Sequence, residues 1–111
     1  YKIGLNETLI GMTMHNFGIE IARYRLANNY FNRCVINAEI FDPKGAVHAG
    51  FIDRIVPAEQ MPMAGMMAGQ MFGQLNMTAF ANTKKRSRKE VFAILDQAIK
   101  DDLDPEKIHA A

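Results

Sequence analysis

Glu7 is the residue whose type and surroundings best suit it to chemistry. It is the only acid before Glu20, and Ile3, Leu5, Leu9, Ile10, Met12 and Met14 crowd the chain around it. Apolar neighbours disfavour the charged form of a carboxylate and so suit it to trade protons near neutral pH. Gly11 and Gly18 bracket the segment that leads from Glu7 into a helical pattern, where backbone N–H groups at the helix start can face a ligand. The plain alternative is a solvated turn residue or a charge at a helix N-terminus.

Other reactive types carry less. Cys34 shares an apolar face with Tyr30, Phe31, Val35 and Ala38, which marks it as a small buried hydrophobe rather than a nucleophile. His48 has no second metal ligand at a sensible spacing, so it reads as a surface or packed histidine. Met61, Met63, Met66, Met67 and Met71 could offer thioethers to copper, but the same pattern describes a pliable packing helix, which is the preferred reading. No metal site is assigned. The basic run at 84–89 reads as a solvated helix face that can also meet the phosphates of a small ligand. Without interleaved aromatics it does not point to nucleic acid.

Composition sets the frame. A chain of 111 residues, 49% hydrophobic, holds one domain with a modest core. A formal net charge of +1 supplies no global field to draw in nucleic acid or a membrane surface. The single cysteine cannot form an internal disulfide, and no apolar run approaches the roughly 20 residues of a membrane span. The chain opens on Tyr1 without a basic and apolar leader, so no signal peptide is expected and a cytoplasmic location is. An opening strand with no earlier partner suggests a piece of something longer.

The elements that must position these residues follow from pattern. Residues 2–5 read as a short strand entering a tight bend. Phe17, Ile21, Ala22 and Tyr24 fall at helical spacing over 16–27, Asn28-Asn29 breaks that helix, and a second one ends near Asn37. Asp42 is a natural N-cap, Pro43 fits the first helical position, and Gly50 supplies a left-handed C-terminal residue. A short strand at 51–56 is expected next. The methionine-rich helix of 58–74 starts at Ala58 or at Pro62, and Gly65, Gly69 and Gly73 form a flat stripe for tight helix packing. Asn76 or Thr78 begins another helix toward Lys89. Val91, Ile94, Leu95, Ala98 and Ile99 define the clearest one, stopped by Asp104-Pro105 before a tail that frays to Ala111.

This order of elements resembles the C-terminal half of the enoyl-CoA hydratase/isomerase (crotonase) family, over nearly all of the chain. Ile3-Gly-Leu-Asn-Glu7 matches the family's Phe-Gly-Leu-Pro-Glu, Gly11 matches its next glycine, and Gly18 matches the last glycine of its Gly-rich bend. Its Ser/Asp-x-x-x-Ala-x-x-x-Gly-Leu-Val-x-x-Val-Val-Pro signature is met by Asp42, Ala46 and Gly50-Phe-Ile-Asp-Arg-Ile-Val-Pro57, with no gap from Ile3 onward.

The resemblance implies a fragment that is mostly α with two short strands, the C-terminal part of an α/β crotonase-like spiral. Residues 1–57 would close the crotonase-like core, and 58–111 would be a helical trimerisation region, giving a homotrimer or a dimer of trimers. The implied substrate is an acyl-CoA thioester whose carbonyl is polarised by two backbone N–H groups so that an enolate can form. Coenzyme A enters only as part of that substrate, with no separate cofactor. Glu7 takes the place of the family's catalytic carboxylate, and Asn6, Met14, His15, Asn16 and Gly18 line the substrate side. Lys84, Lys85 and Arg86 are candidates for the CoA phosphates.

Two departures bear on the reaction. Asn6 stands where the family has proline, and the glycine-rich Pro-Gly-x-Gly-Gly bend becomes Met14-His-Asn-Phe-Gly18. In hydratases that bend helps hold the water, so its bulk tilts the expectation toward an isomerase, with His15 and Asn16 offering side-chain hydrogen bonds instead. The oxyanion-hole segments and the second glutamate belong to the family's N-terminal half, so the 111 residues alone are expected to be inactive. The rival readings are a noncatalytic acyl-CoA-binding protein of this fold and a helical self-association module.

Overall fold

The structure, a computed structural model, describes residues 1–108. After an irregular opening, the chain forms α1 (Asn16–Arg25), a 3-10 turn at Asn28–Tyr30, α2 (Phe31–Val35) and α3 (Pro43–Ala49). A second 3-10 turn at Ala58–Gln60 leads into α4 (Met61–Gly73), followed by α5 (Met77–Ser87), α6 (Lys89–Leu103) and α7 (Pro105–Ile108). Fraying expected of the tail beyond that point lies outside the described residues, whereas Pro105 itself opens a helical turn rather than a frayed end.

The caps explain several boundaries. Asp42 accepts a hydrogen bond from the Gly45 N–H at 2.7 Å, Pro43 fills the first turn, and Gly50 closes α3 with φ of 100°. Asn76 caps α5 by accepting from the Ala79 N–H at 2.9 Å. The 58–74 helix begins with the 3-10 turn and turns α-helical at Met61, with Pro62 in its first turn.

Neither expected strand forms, so the fold is helical throughout the described residues and the two-strand reading is corrected. Residues 2–5 make one isolated antiparallel bridge, Ile3 with Phe41, through hydrogen bonds of 2.9 and 2.8 Å. Residues 51–56 make none, and the Phe51 N–H instead bonds back to the Ala46 carbonyl at 2.9 Å as part of the α3 terminus. β-propensity places apolar side chains on a pleated surface, but a strand exists only where a neighbour takes its backbone groups.

The core is built by α1, α2 and α3: Ala22, Leu26, Cys34, Val35, Phe41, Ala46 and Ala49 are buried together, with Tyr30, Phe31, Phe51 and Ile52 packed around them. Cys34 is fully buried, as its apolar face foretold, and burial pushes its thiol up. α6 returns to lie antiparallel on α1. Its C-terminal Asp102 meets Asn16 and Phe17, and its N-terminal Glu90 and Val91 share a groove with Tyr24. Ala98 is the buried contact residue of α6.

The methionine helix α4 packs differently from expectation. A Cβ placed on Gly65, Gly69 or Gly73 would meet nothing within 4 Å, so the small-residue stripe has no neighbour among the described residues. Met61, Met63, Met66, Met67 and Phe72 are all at least half exposed. The radius of gyration, 17.2 Å, exceeds the roughly 13 Å of a compactly packed chain of this length because this arm stands off the core.

Gly50 sets the turn that seats α3 against α1. A Cβ there would lie 3.0 Å from the Arg25 carbonyl oxygen and 3.2 Å from the Ala27 nitrogen, on a backbone with positive φ. Gly50→Ala should lower stability by about 2 kcal/mol, read from urea unfolding with an unchanged m value.

Candidate functional site

Glu7 is set by the bridge that precedes it and the turn that follows. Once Ile3 pairs with Phe41, the chain folds on itself: the Glu7 carbonyl accepts from Ile10 N–H at 3.2 Å and from Met12 N–H at 2.8 Å. The Thr8 hydroxyl donates to the Ile36 carbonyl at 2.9 Å and ties the turn to the end of α2. Glu7 is half-buried, and its Oε2 is shielded from solvent without a hydrogen-bond partner. Burying a carboxylate oxygen with no partner is costly, so such a group in a folded protein calls for an explanation, and a functional role is one. Asn6 beside it is exposed.

Met14 is buried at the entry to α1, and His15 is exposed with its ring stacked on Phe17 at a centroid distance of 6.3 Å. Gly18 lies beneath both. A Cβ there would fall 2.8 Å from His15 Cε1 and 3.0 Å from Met14 Sδ. Met14, His15 and Gly18 are therefore brought together in one bend, where a larger residue at 18 would require the His15 and Met14 side chains to shift.

Asn16 is placed otherwise than expected. Its backbone N–H and its side-chain amide both donate to Asp102 Oδ1, at 2.8 and 3.0 Å, while Phe17 N–H donates to Asp102 Oδ2 at 2.8 Å. The amides at the α1 start, which the sequence left open to a ligand, are taken by this internal carboxylate. Residue spacing alone could not reveal Asp102 as their partner, 85 residues away. Its one local signal is an oddity: Asp101 and Asp102 sit in the last turn of α6, where the helix dipole disfavours negative charge. Asp101 is compensated by Lys107 at 2.6 Å, and Asp102 by the α1 amides.

The basic candidates lie elsewhere. Lys84 lines an open groove of about 550 Å³ with Tyr24, Asn76, Phe80, Thr83 and Arg88. Lys85 and Arg86 instead line another groove with Lys89, Phe92 and Asp96. Tyr24 is eight residues along α1 from Asn16, about 12 Å at helical rise. The run is thus divided between two grooves, and Lys84 lies near the far end of α1 from the Met14–Gly18 bend.

The likeness to known proteins is extensive. A protein described as an enoyl-CoA hydratase/isomerase family member from Pseudomonas syringae superposes with a TM-score of 0.89 at 49% identity, over 92% of this chain and 44% of its own. An enoyl-CoA isomerase of Mycobacterium tuberculosis follows with a TM-score of 0.85, 34% identity, and coverage of 90% of this chain and 44% of its own. An enoyl-CoA hydratase of Mycobacterium ulcerans gives 0.84 and 32%, over 90% of this chain and again 44% of its own. No protein-family model and no curated protein matches the sequence. The chain belongs to the enoyl-CoA hydratase/isomerase family, and it spans less than half the length of the members it matches, as a C-terminal segment would.

The Asp102 carboxyl is held below the usual carboxylate range, chiefly by the Phe17 N–H, with the Asn16 donors and nearby His15 acting in the same direction. Its folded form therefore takes up a proton less readily than the unfolded chain does. The stability it contributes is complete above the unfolded carboxylate range near pH 4 and is lost as pH falls through the lower folded value. Thermal melts of the wild type and Asp102→Asn should differ by a constant margin above about pH 5 and converge toward pH 3.

Proposed function

We propose that this segment belongs to an enzyme that moves protons on an enoyl-CoA thioester, with Glu7 as the catalytic carboxylate. The observation that carries this reading is the shielded, unpartnered Oε2 of Glu7, at the position that matches the family's glutamate. In this mechanism the Glu7 carboxylate removes a proton from carbon two of a 3-enoyl thioester. The electron pair passes to the thioester oxygen as an enolate, and Glu7 returns the proton at carbon four. The oxyanion-hole donors belong to segments outside this chain, so the 111 residues by themselves would not turn over.

Isomerisation is preferred over hydration because the bend that holds a water in hydratases is built here from the bulkier Met14-His-Asn-Phe17 rather than glycines, although the relatives carry both names. Asn6 and the Met14–Gly18 bend face the acyl group in this reading. Residues 1–57 complete the core of the enzyme and 58–111 form its assembly region. The uncovered apolar face of α4 supports a homotrimer or a dimer of trimers. A cytoplasmic protein fits, and no helix among the described residues is long and apolar enough to cross a membrane.

Glu7→Gln in the intact protein should lower turnover of enoyl-CoA substrates by about a hundredfold or more, the usual contribution of a general base, while acyl-CoA affinity changes little. Unchanged turnover would remove Glu7 from the mechanism, and absent turnover in the wild type would favour a noncatalytic acyl-CoA binder. Reversing the charge of Lys84, Lys85 and Arg86 one at a time should weaken CoA binding several-fold at low salt, with the difference shrinking as ionic strength rises. Equal affinities at low salt would place the CoA phosphates elsewhere.

A further inference from the structure

We infer that Asp102 is a positioning residue, whose carboxylate on α6 sets the conformation of the His15–Asn16–Phe17 start of α1 and through it the bend that meets substrate. The inference rests on the reading of Met14, His15 and Gly18 as substrate-side residues, but the geometry behind it is independent of that reading.

Helices begin with N–H groups that have no partner in the helix, and these are usually met by the residue just before the first turn. Here that residue is His15, which makes no side-chain cap. One carboxylate instead accepts three hydrogen bonds: from Asn16 N–H at 2.8 Å and Asn16 Nδ2 at 3.0 Å on Oδ1, and from Phe17 N–H at 2.8 Å on Oδ2. Two backbone amides and a side chain are thus fixed by a rigid two-oxygen group. A hydroxyl or a single-oxygen cap could satisfy one amide but could not also orient Asn16.

The consequence reaches the bend directly. Residue 15 precedes the clamped amides, its ring stacks on Phe17, and the His15 and Met14 side chains lie over the space that a Cβ on Gly18 would take. Rotation of the Asn16 or Phe17 peptide would carry His15 off this stack and unseat Met14, which is otherwise buried. The carboxylate therefore controls the shape of a surface it does not itself form, and α6 does more than cover α1.

The test compares variants of the intact protein in enoyl-CoA turnover and in hydrogen exchange of individual amides. Asp102→Ala removes all three acceptors and should lower kcat/KM by about tenfold, the scale of one lost cap, with the Asn16 and Phe17 amides exchanging faster. Asp102→Asn keeps one acceptor oxygen and should recover part of kcat/KM. Ala98→Gly destabilises α6 where it is buried against α1 without touching the bend, and it supplies the control. If Ala98→Gly, at a matched loss of melting temperature, lowers kcat/KM as much as Asp102→Ala does, Asp102 is only a stabilising contact and the inference is overturned. Unchanged kcat/KM in Asp102→Ala overturns it as well. Turnover that survives Glu7→Gln but falls in Asp102→Ala would instead overturn the role of Glu7 and leave the positioning role standing.

Discussion

Three hydrogen bonds to one carboxylate join residues 85 and 86 positions apart and tie the C-terminal end of α6 to the start of α1. The α1–α3 unit has its own buried cluster. α6 brings Ala98 as its buried residue, with Val91 and Leu95 partly buried, a small apolar contribution for a helix of 15 residues. Apolar contact alone would allow α6 to slide or rotate on α1. A charged acceptor that must reach two adjacent amides at the helix start permits one register, because hydrogen bonds are directional where hydrophobic contact is not. With the end of α6 fixed there, α5 follows at its other end and α4 is left projecting.

What was legible in the sequence was local. Asp42, Pro43 and Gly50 delimit α3 through interactions no more than a few residues long, and Asn76 does the same for α5. The periodicity of Val91, Ile94, Leu95, Ala98 and Ile99 marks α6 as a helix, though only Val91, Leu95 and Ala98 of the five turn inward while Ile94 and Ile99 stay exposed. The strands were misread for the complementary reason: alternation and β-branching describe a surface suited to a sheet, and the sheet itself depends on a neighbour that pattern cannot supply. Asp102 lay outside such reasoning too, since its partners are far away in the chain. A second acid in the last turn of a helix is the kind of local misfit that signals a distant partner.

The candidate site divides along the same line. Glu7 could be singled out because it is the only acid before Glu20 and lies among several apolar residues, and the fold keeps one of its oxygens shielded without a partner. Gly18 could be matched to a bend, and the His15 and Met14 side chains close over it where a Cβ would lie. Asn16, read as a free donor, is committed to Asp102. The basic run looked like a single patch in one dimension. In a helix, neighbours along the chain are turned about 100° from each other, so Lys84 opens toward Tyr24 and Phe80 while Lys85 opens toward Phe92.

The contrast between the two ends of α1 carries this further. At its N-terminal end the Asn16 and Phe17 amides are held by Asp102, and the Glu7 turn closes through its own backbone hydrogen bonds. At its C-terminal end Tyr24 is half exposed and borders a wide groove edged by mobile-stemmed lysine and arginine side chains. Proton transfer demands atoms held to fractions of an ångström, whereas attraction of phosphates by surface cations tolerates several. Under the proposed function, one end of α1 would serve the reacting carbons and the other, basic end would serve a long charged handle.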